Sequence, residues 1–340
     1  MWYLRILSLA IVLLLFGSLS SQTYDLVWSD EFDYSGLPNS EKWGYDVGGN
    51  GWGNNELQYY TQNRTENARV ENGHLIIEAR KESYGGNNYT SARLITKGKG
   101  DWLYGKIEVK AKLPGGKGSW PAIWMLPTDW SYGGWPSSGE IDIMEYVGYD
   151  PGIVHGTVHT EAYNHTLGTQ KGNHTSVTDA ETAFHVYTLE WTPDKIMIFV
   201  DETKYFTFYA QGDYKTWPFD KRFHLLLNIA VGGNWGGSQG VNDNIFPIKM
   251  EVDYVRVYQD VTTSVNEIKK STGINLSPNP ARDIVTISCE KEFSTVEVFL
   301  LSGQKVRDYQ TEGRKSNDIN ISSLNPEVYF IIIKTRRAKL

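Results

Sequence analysis

The chain is poor in cysteine: one residue, Cys289, in 340. An internal disulfide is therefore excluded, and stability has to come from a packed core, with or without a bound metal. The chain also lacks excess positive charge. Lys and Arg total 33 against 40 Asp and Glu, a net charge of −7, which argues against a nucleic-acid partner. No stretch shows a long helical period. Beyond the N-terminus there is no long apolar run, so no stable membrane span is expected once the leader is removed.

The N-terminus, MWYLRILSLAIVLLLFGSLSSQ, reads as that leader. It has one early cation, Arg5, an apolar run from Ile6 to Phe16, and then small residues. The run is short for a bilayer and suits a signal peptide over residues 1–21. A retained anchor is the alternative.

Aromatic residues and glycine are abundant, with 12 Trp, 21 Tyr and 33 Gly. Such a composition, without long Ala/Leu/Glu/Lys runs, points to an all-β domain rich in turns. Strand-like alternation recurs from about Leu26 to Gln259. In GKIEVKAKLP, Ile107, Val109, Ala111 and Leu113 alternate with Lys106, Glu108, Lys110 and Lys112, which gives one buried and one wet face. HLIIEARK, HVYTLEWTP, KIMIFVDE, RFHLLLNIAVGG and MEVDYVRVYQ read as further strands, separated by turn signals such as Asn72–Gly73 and PGGKG. Many strands with regular turns predict two antiparallel sheets packed as a sandwich or barrel. Residues 261–273 are polar and form a linker. Short β runs with Pro and Gly turns resume over 274–340 and predict a small antiparallel β-sandwich tail.

The stretch GEIDIMEYVG places Glu140, Asp142 and Glu145 among apolar residues. Residues two apart on a strand share a face, so Glu140 and Asp142 point together, whereas Glu145 would point away. One extra residue, a bulge near Met144, would return Glu145 to the acid face and leave Ile141 and Ile143 in the core. Carboxylates lining one groove can cleave a glycosidic bond. One attacks the anomeric carbon, another shuttles the proton, and a third tunes both.

These residues resemble the E-x-D-x-x-E signature of glycoside hydrolase family 16 in its bulged, laminarinase-like form. LVWSDEFD, KWGYDVGGNGWGNNELQYYT, GSWPAIWMLP, HGTVHT, LLLNIAVGGNWGG and MEVDYVRVYQ are similar to that family's other segments, in order, across residues 23–260. The resemblance implies a β-jelly-roll with a concave glycan cleft. It implies a secreted retaining endo-β-glycanase cutting β-1,3-glucan, with Glu140 as nucleophile, Glu145 as acid/base and Asp142 as helper. Mixed-linkage glucanase, agarase, carrageenase and porphyranase activities stay open as alternatives, as does a non-catalytic glycan-binding protein; a surface adhesin would explain the tail and not the acids.

Trp120 and Trp124 alternate with Ala122 and share a face, as expected of sugar platforms. Trp235, among glycines in GGNWGG, suits the same use. Asn54 and Glu56 sit in an amide-rich loop able to bond sugar hydroxyls. Arg93 and His159 resemble family positions near the acids. On a strand, the pair His155 and His159 reads as hydrogen-bonding residues and not as a zinc motif. The resemblance further implies one structural Ca²⁺, unrelated to the chemistry, on Glu31, Asp253 and the carbonyl of Gly73, an oxygen donor set that suits this ion.

In the tail, LSPNPARDIVTI, LLSGQKV and SSLNPEVYFIIIKT resemble the C-terminal sorting domain of the type IX secretion system. NPE at 325–327 stands where Gly is usual. This resemblance implies export through the periplasm of a Gram-negative bacterium to the cell surface or medium, with the secretion machinery as partner. A small carbohydrate-binding module is the alternative, weakened by the absence of Trp from the tail.

Overall fold

The computed structural model describes residues 24–260, 274–278, 281–300, 304–325 and 329–335. The expected signal peptide and linker lie outside the described residues, as does most of the NPE turn. The chain divides into two compact units, 1–261 and 262–340.

The first unit is two sheets face to face. Its eight-stranded sheet runs, edge to edge, Lys171–Ser176, Ile153–His159, Glu140–Tyr146, Ser119–Pro127, Phe223–Val231, Arg93–Ile95 and Gly44–Asp46, with Asp101–Trp102 beside Phe223–Val231. The ten-stranded sheet is centred on His185–Trp191, Gly105–Lys112, Ile248–Asp260 and His74–Tyr84. All pairings are antiparallel except Gln58–Tyr60 on Asn87–Ser91. Among the described residues the one helical turn is Asp243–Ile245, and no helix is long and apolar enough to cross a membrane.

Alternation in sequence becomes alternation in burial. Along Gly105–Lys112 every second residue is buried, with Ile107, Val109 and Ala111 fully so. They meet Ile141, Ile143, Met144, Leu225 and Leu227 from the other sheet in one continuous core. Phe223–Val231 is buried along its whole length, because its inner face packs on the core while its outer face lies under the loops of the cleft. Burial of this extent, at about 25 cal/mol per Å² of apolar surface, accounts for a stable domain without disulfides.

The second unit is a four-stranded antiparallel sheet of Asn275–Ser277, Ile284–Leu300, Lys305–Asn320 and Tyr329–Thr335. Register breaks at Phe293 interrupt its two long strands. Val285, Ile287, Cys289, Phe293, Val296 and Ile319 form its small core.

Candidate active site

Gly139 sets the entry to the acid strand. Its φ is +89°, and a Cβ there would lie 2.9 Å from Pro218 and 3.0 Å from Phe219, so only glycine passes without strain. Glu140–Tyr146 then pairs on one side with Ser119–Pro127 and on the other with Ile153–His159. Against the first, Asp142 faces Trp124 and Glu145 faces Ala122, with the register slipping by one residue between them. Against the second, Glu140 faces His159 and Glu145 faces His155, again with one extra residue on the acid strand. The unpaired residue is Ile143, one place from the expected Met144. Ile141, Ile143 and Met144 are all fully buried, while Glu140, Asp142 and Glu145 line one cavity of about 380 Å³.

Each glutamate is held by an indole. Trp135 Nε1 donates to Glu140 Oε2 at 3.0 Å, and Trp120 Nε1 donates to Glu145 Oε1 at 3.1 Å. An indole N–H only donates, so each contact fixes a carboxylate oxygen without competing for its proton. Asp142 is 3% exposed, and its Oδ2 lies 3.3 Å from His159 Nε2, which is 3.8 Å from Glu140 Oε1. Burial pushes the carboxyls of Glu140, Asp142 and Glu145 up, each to about 8. For the two glutamates the Asp142 charge adds to this and His159 opposes it. Arg93 also opposes it at Glu140.

Trp124 and Trp235 line the cleft, Trp124 in the first cavity and Trp235 in a second lobe that shares Asn54, Trp120, Glu140, Glu145 and His165 with the first. Trp120 is only 9% exposed and packs against Val147, Ala230 and the edge of Trp235. Its indole serves Glu145 more than it offers a free face. Trp235 stands in the turn after Phe223–Val231, its ring 5.0 Å from His155. Asn54 and Glu56 line the cavity. Gln58 and Tyr60 donate to Glu56 Oε2 at 2.6 and 3.3 Å, and burial raises this carboxyl's proton affinity. Asn55 instead ties its loop to the Trp235 loop, donating to Asn234 Oδ1 at 2.8 Å.

Arg93 lies between two indoles, its guanidinium 4.8 Å from the Trp52 ring and 4.6 Å from that of Trp124, and pairs with Asp46 at 2.9 Å. Sequence reasoning passed over Trp52, Trp130 and Trp135, which also line the cavity. Only Trp135 had a readable signal, standing five residues before Glu140 in a Gly/Pro/Ser loop.

Glu31 and Asp253 lie on the other sheet and its flank, away from the cleft. Arg256 grips Glu31 through two hydrogen bonds at 3.0 and 2.8 Å, and Lys110 pairs with Asp253 at 2.6 Å. The hydrogen bond from Arg256 holds the Glu31 carboxyl below its ordinary value, and the Asp253 charge opposes this only slightly. Hard oxygen donors there fit Ca²⁺, provided that the partly exposed Arg256 and Lys110 give way. Gly73 follows Asn72 in the turn between strands Ala68–Glu71 and His74–Tyr84.

A jelly-roll-type sandwich with paired, buried carboxylates in a tryptophan-lined cleft is the apparatus of a glycoside hydrolase. The family model for glycosyl hydrolases family 16 matches residues 55–256, and the chain belongs to that family. The chain is 61% identical over 244 residues to a β-glucanase of Rhodothermus marinus, covering 69% of this chain and 85% of that protein. The solved laminarinase of the same organism superposes with a TM-score of 0.69 at 60% identity, covering 70% of this chain and 98% of that one. A glucan endo-1,3-β-glucosidase of Cryptopygus antarcticus is 40% identical over 264 residues, 72% of this chain and 96% of that protein. The model for secretion system C-terminal sorting domains matches residues 275–340, which marks the protein for export or the cell surface.

Proposed function

We propose that this protein is a retaining endo-β-1,3-glucanase of the laminarin-degrading kind. The observation that carries the reading is the pair of indole-held glutamates flanking a buried aspartate on one face of a bulged strand. The likeness to β-glucanases and laminarinases supports the substrate. In the first step a Glu140 oxygen attacks the anomeric carbon while Glu145 gives its proton to the departing glycosidic oxygen. A glycosyl ester on Glu140 results. In the second, Glu145 takes a proton from water, the water oxygen bonds to the anomeric carbon, and the ester C–O bond breaks. Two inversions restore the configuration.

Burial raises Glu140 and Glu145 alike, and Arg93 is a minor opposing charge at Glu140. His159 Nε2 stands beside both Asp142 and Glu140. Asn54, Glu56, Trp124 and Trp235 suit sugar hydroxyls and ring faces. Reducing-end release from laminarin, mixed-linkage β-glucan, agarose and carrageenan tests the reading. Activity on laminarin is expected, and loss of it in Glu140→Gln. Cleavage of agarose or carrageenan alone would overturn the substrate. Binding without cleavage of any of the four would make the protein a glycan-binding one.

The type IX machinery, reached through the periplasm, is the export route that the tail supports. Detection of the mature chain outside cells, and its periplasmic retention once 274–340 are deleted, tests it. A structural Ca²⁺ at Glu31 and Asp253 is the further part of the proposal, with exchange of Arg256 and Lys110 for the ion.

A further inference from the structure

Glu140, Asp142 and His159 each bring one ligand atom to within 4.8 Å of the other two, the only such trio of His, Cys, Asp or Glu among the described residues. His159 Nε2 is 3.3 Å from Asp142 Oδ2 and 3.8 Å from Glu140 Oε1. Two ligands bound tetrahedrally at zinc distances stand roughly 3.3 Å apart. Of the three pairs, one therefore already has that spacing, a second needs a movement of about half an ångström, and the third, Glu140 to Asp142, lies within 4.8 Å. Asp142 Oδ2 is buried without a hydrogen-bond partner and faces this point. The cavity in front leaves room for water or another oxygen ligand.

We propose that the acid cluster is also a divalent-cation site, in which Glu140, Asp142 and His159 bind Zn²⁺. One imidazole and two carboxylates suit that ion. Binding displaces the protons that the cluster otherwise holds, since each ligand must be unprotonated. A resident zinc site anchors the second nitrogen of its histidine on a carboxylate or carbonyl. His159 Nδ1 is buried with no such partner. The ion is therefore held weakly and exchanges, which makes it a brake and not a cofactor. It sits where the sugar must sit, so metal and glycan exclude each other. That consequence for turnover rests on the trio being catalytic; the binding itself does not.

Calorimetric titration of Zn²⁺ into the chelator-stripped full chain tests the site, with His159→Ala and Asp142→Asn alongside and melting curves to confirm folding. One ion per chain is expected, with affinity falling more than tenfold in each variant and saturating laminari-oligosaccharide abolishing binding. Should His159→Ala not fold, Glu140→Gln, equal in shape and lacking the charge, takes its place. Affinity within twofold of wild type in both variants, no heat at millimolar Zn²⁺, or metal binding unchanged by an oligosaccharide that the chain is shown to bind would each overturn the proposal. Because binding is read directly, a protein inactive on every glucan would sink the proposed function and leave this site standing.

Discussion

Replacing Glu145 by Gln should make the protein more stable at neutral pH while stopping catalysis. Burial holds this carboxyl at about 8 against an ordinary value of 4.5. The folded pKa is raised, so between these two values the native state binds more protons than the unfolded chain. Stability then falls as pH rises through this window. At pH 7 the separation from the unfolded value is about 2.5 pH units, and at 1.36 kcal/mol per unit Glu145 costs up to about 3 kcal/mol. Gln carries no such cost and keeps an oxygen to accept from Trp120 Nε1. A domain of this size shifts by roughly 2–4 °C per kcal/mol, so Glu145→Gln should melt about 6–12 °C above wild type at pH 7. At pH 4, where both states are protonated, the two should melt alike. Calorimetry of the first unit's transition at both values is the assay, with laminarin hydrolysis expected to drop roughly a hundredfold or more. An equal shift at both pH values, or a less stable variant at pH 7, would refute the reasoning.

Removing the indole hydrogen bond in Trp135→Phe should lower kcat roughly tenfold or more through a misplaced Glu140, with little change in Tm; an unchanged kcat in steady-state assays would deny the indole its role. Arg93→Lys keeps the charge but not the flat cation between Trp52 and Trp124, and should cost about 1–2 kcal/mol of stability, read from denaturant midpoints, with a higher KM. Ca²⁺ should raise the melting temperature, and a chelator should lower it more than it lowers activity at mild temperature. The double variant Glu31→Gln, Asp253→Asn should melt alike with and without Ca²⁺, and melting of wild type indifferent to Ca²⁺ would remove the ion.

Much of the frame was legible because alternation is a local property. The wet and dry faces of Gly105–Lys112, the shared face of Trp120 and Trp124, and the extra residue in the acid strand all follow from a period of two. The loops were not legible in this way. Nothing local says that Trp135 folds back onto Glu140, or that Arg93 meets the rings of both Trp52 and Trp124, from three separate segments. Trp120 illustrates the limit. Its face was readable, but its depth depends on Val147, Ala230 and Trp235 closing around it. The basic partners of Glu31 and Asp253 also escaped notice. Arg256 is three residues beyond Asp253 on the same strand, but its grip on Glu31 depends on how strands Tyr24–Asp30 and Ile248–Asp260 pair. In the tail, the sandwich expected from short β runs is built from two long strands broken in register at Phe293.

The central claim is that Glu140 attacks and Glu145 moves the proton. Chemical rescue tests it most directly. Glu140→Ala and Glu145→Ala would each be given an activated aryl β-1,3-glucoside and azide, and the anomeric configuration of the glycosyl azide read by NMR. The α-azide from Glu140→Ala and the β-azide from Glu145→Ala are the predicted products, because azide replaces the nucleophile in the first and the activated water in the second. The opposite pairing would exchange the two roles, and rescue of neither would take the chemistry away from these two carboxylates.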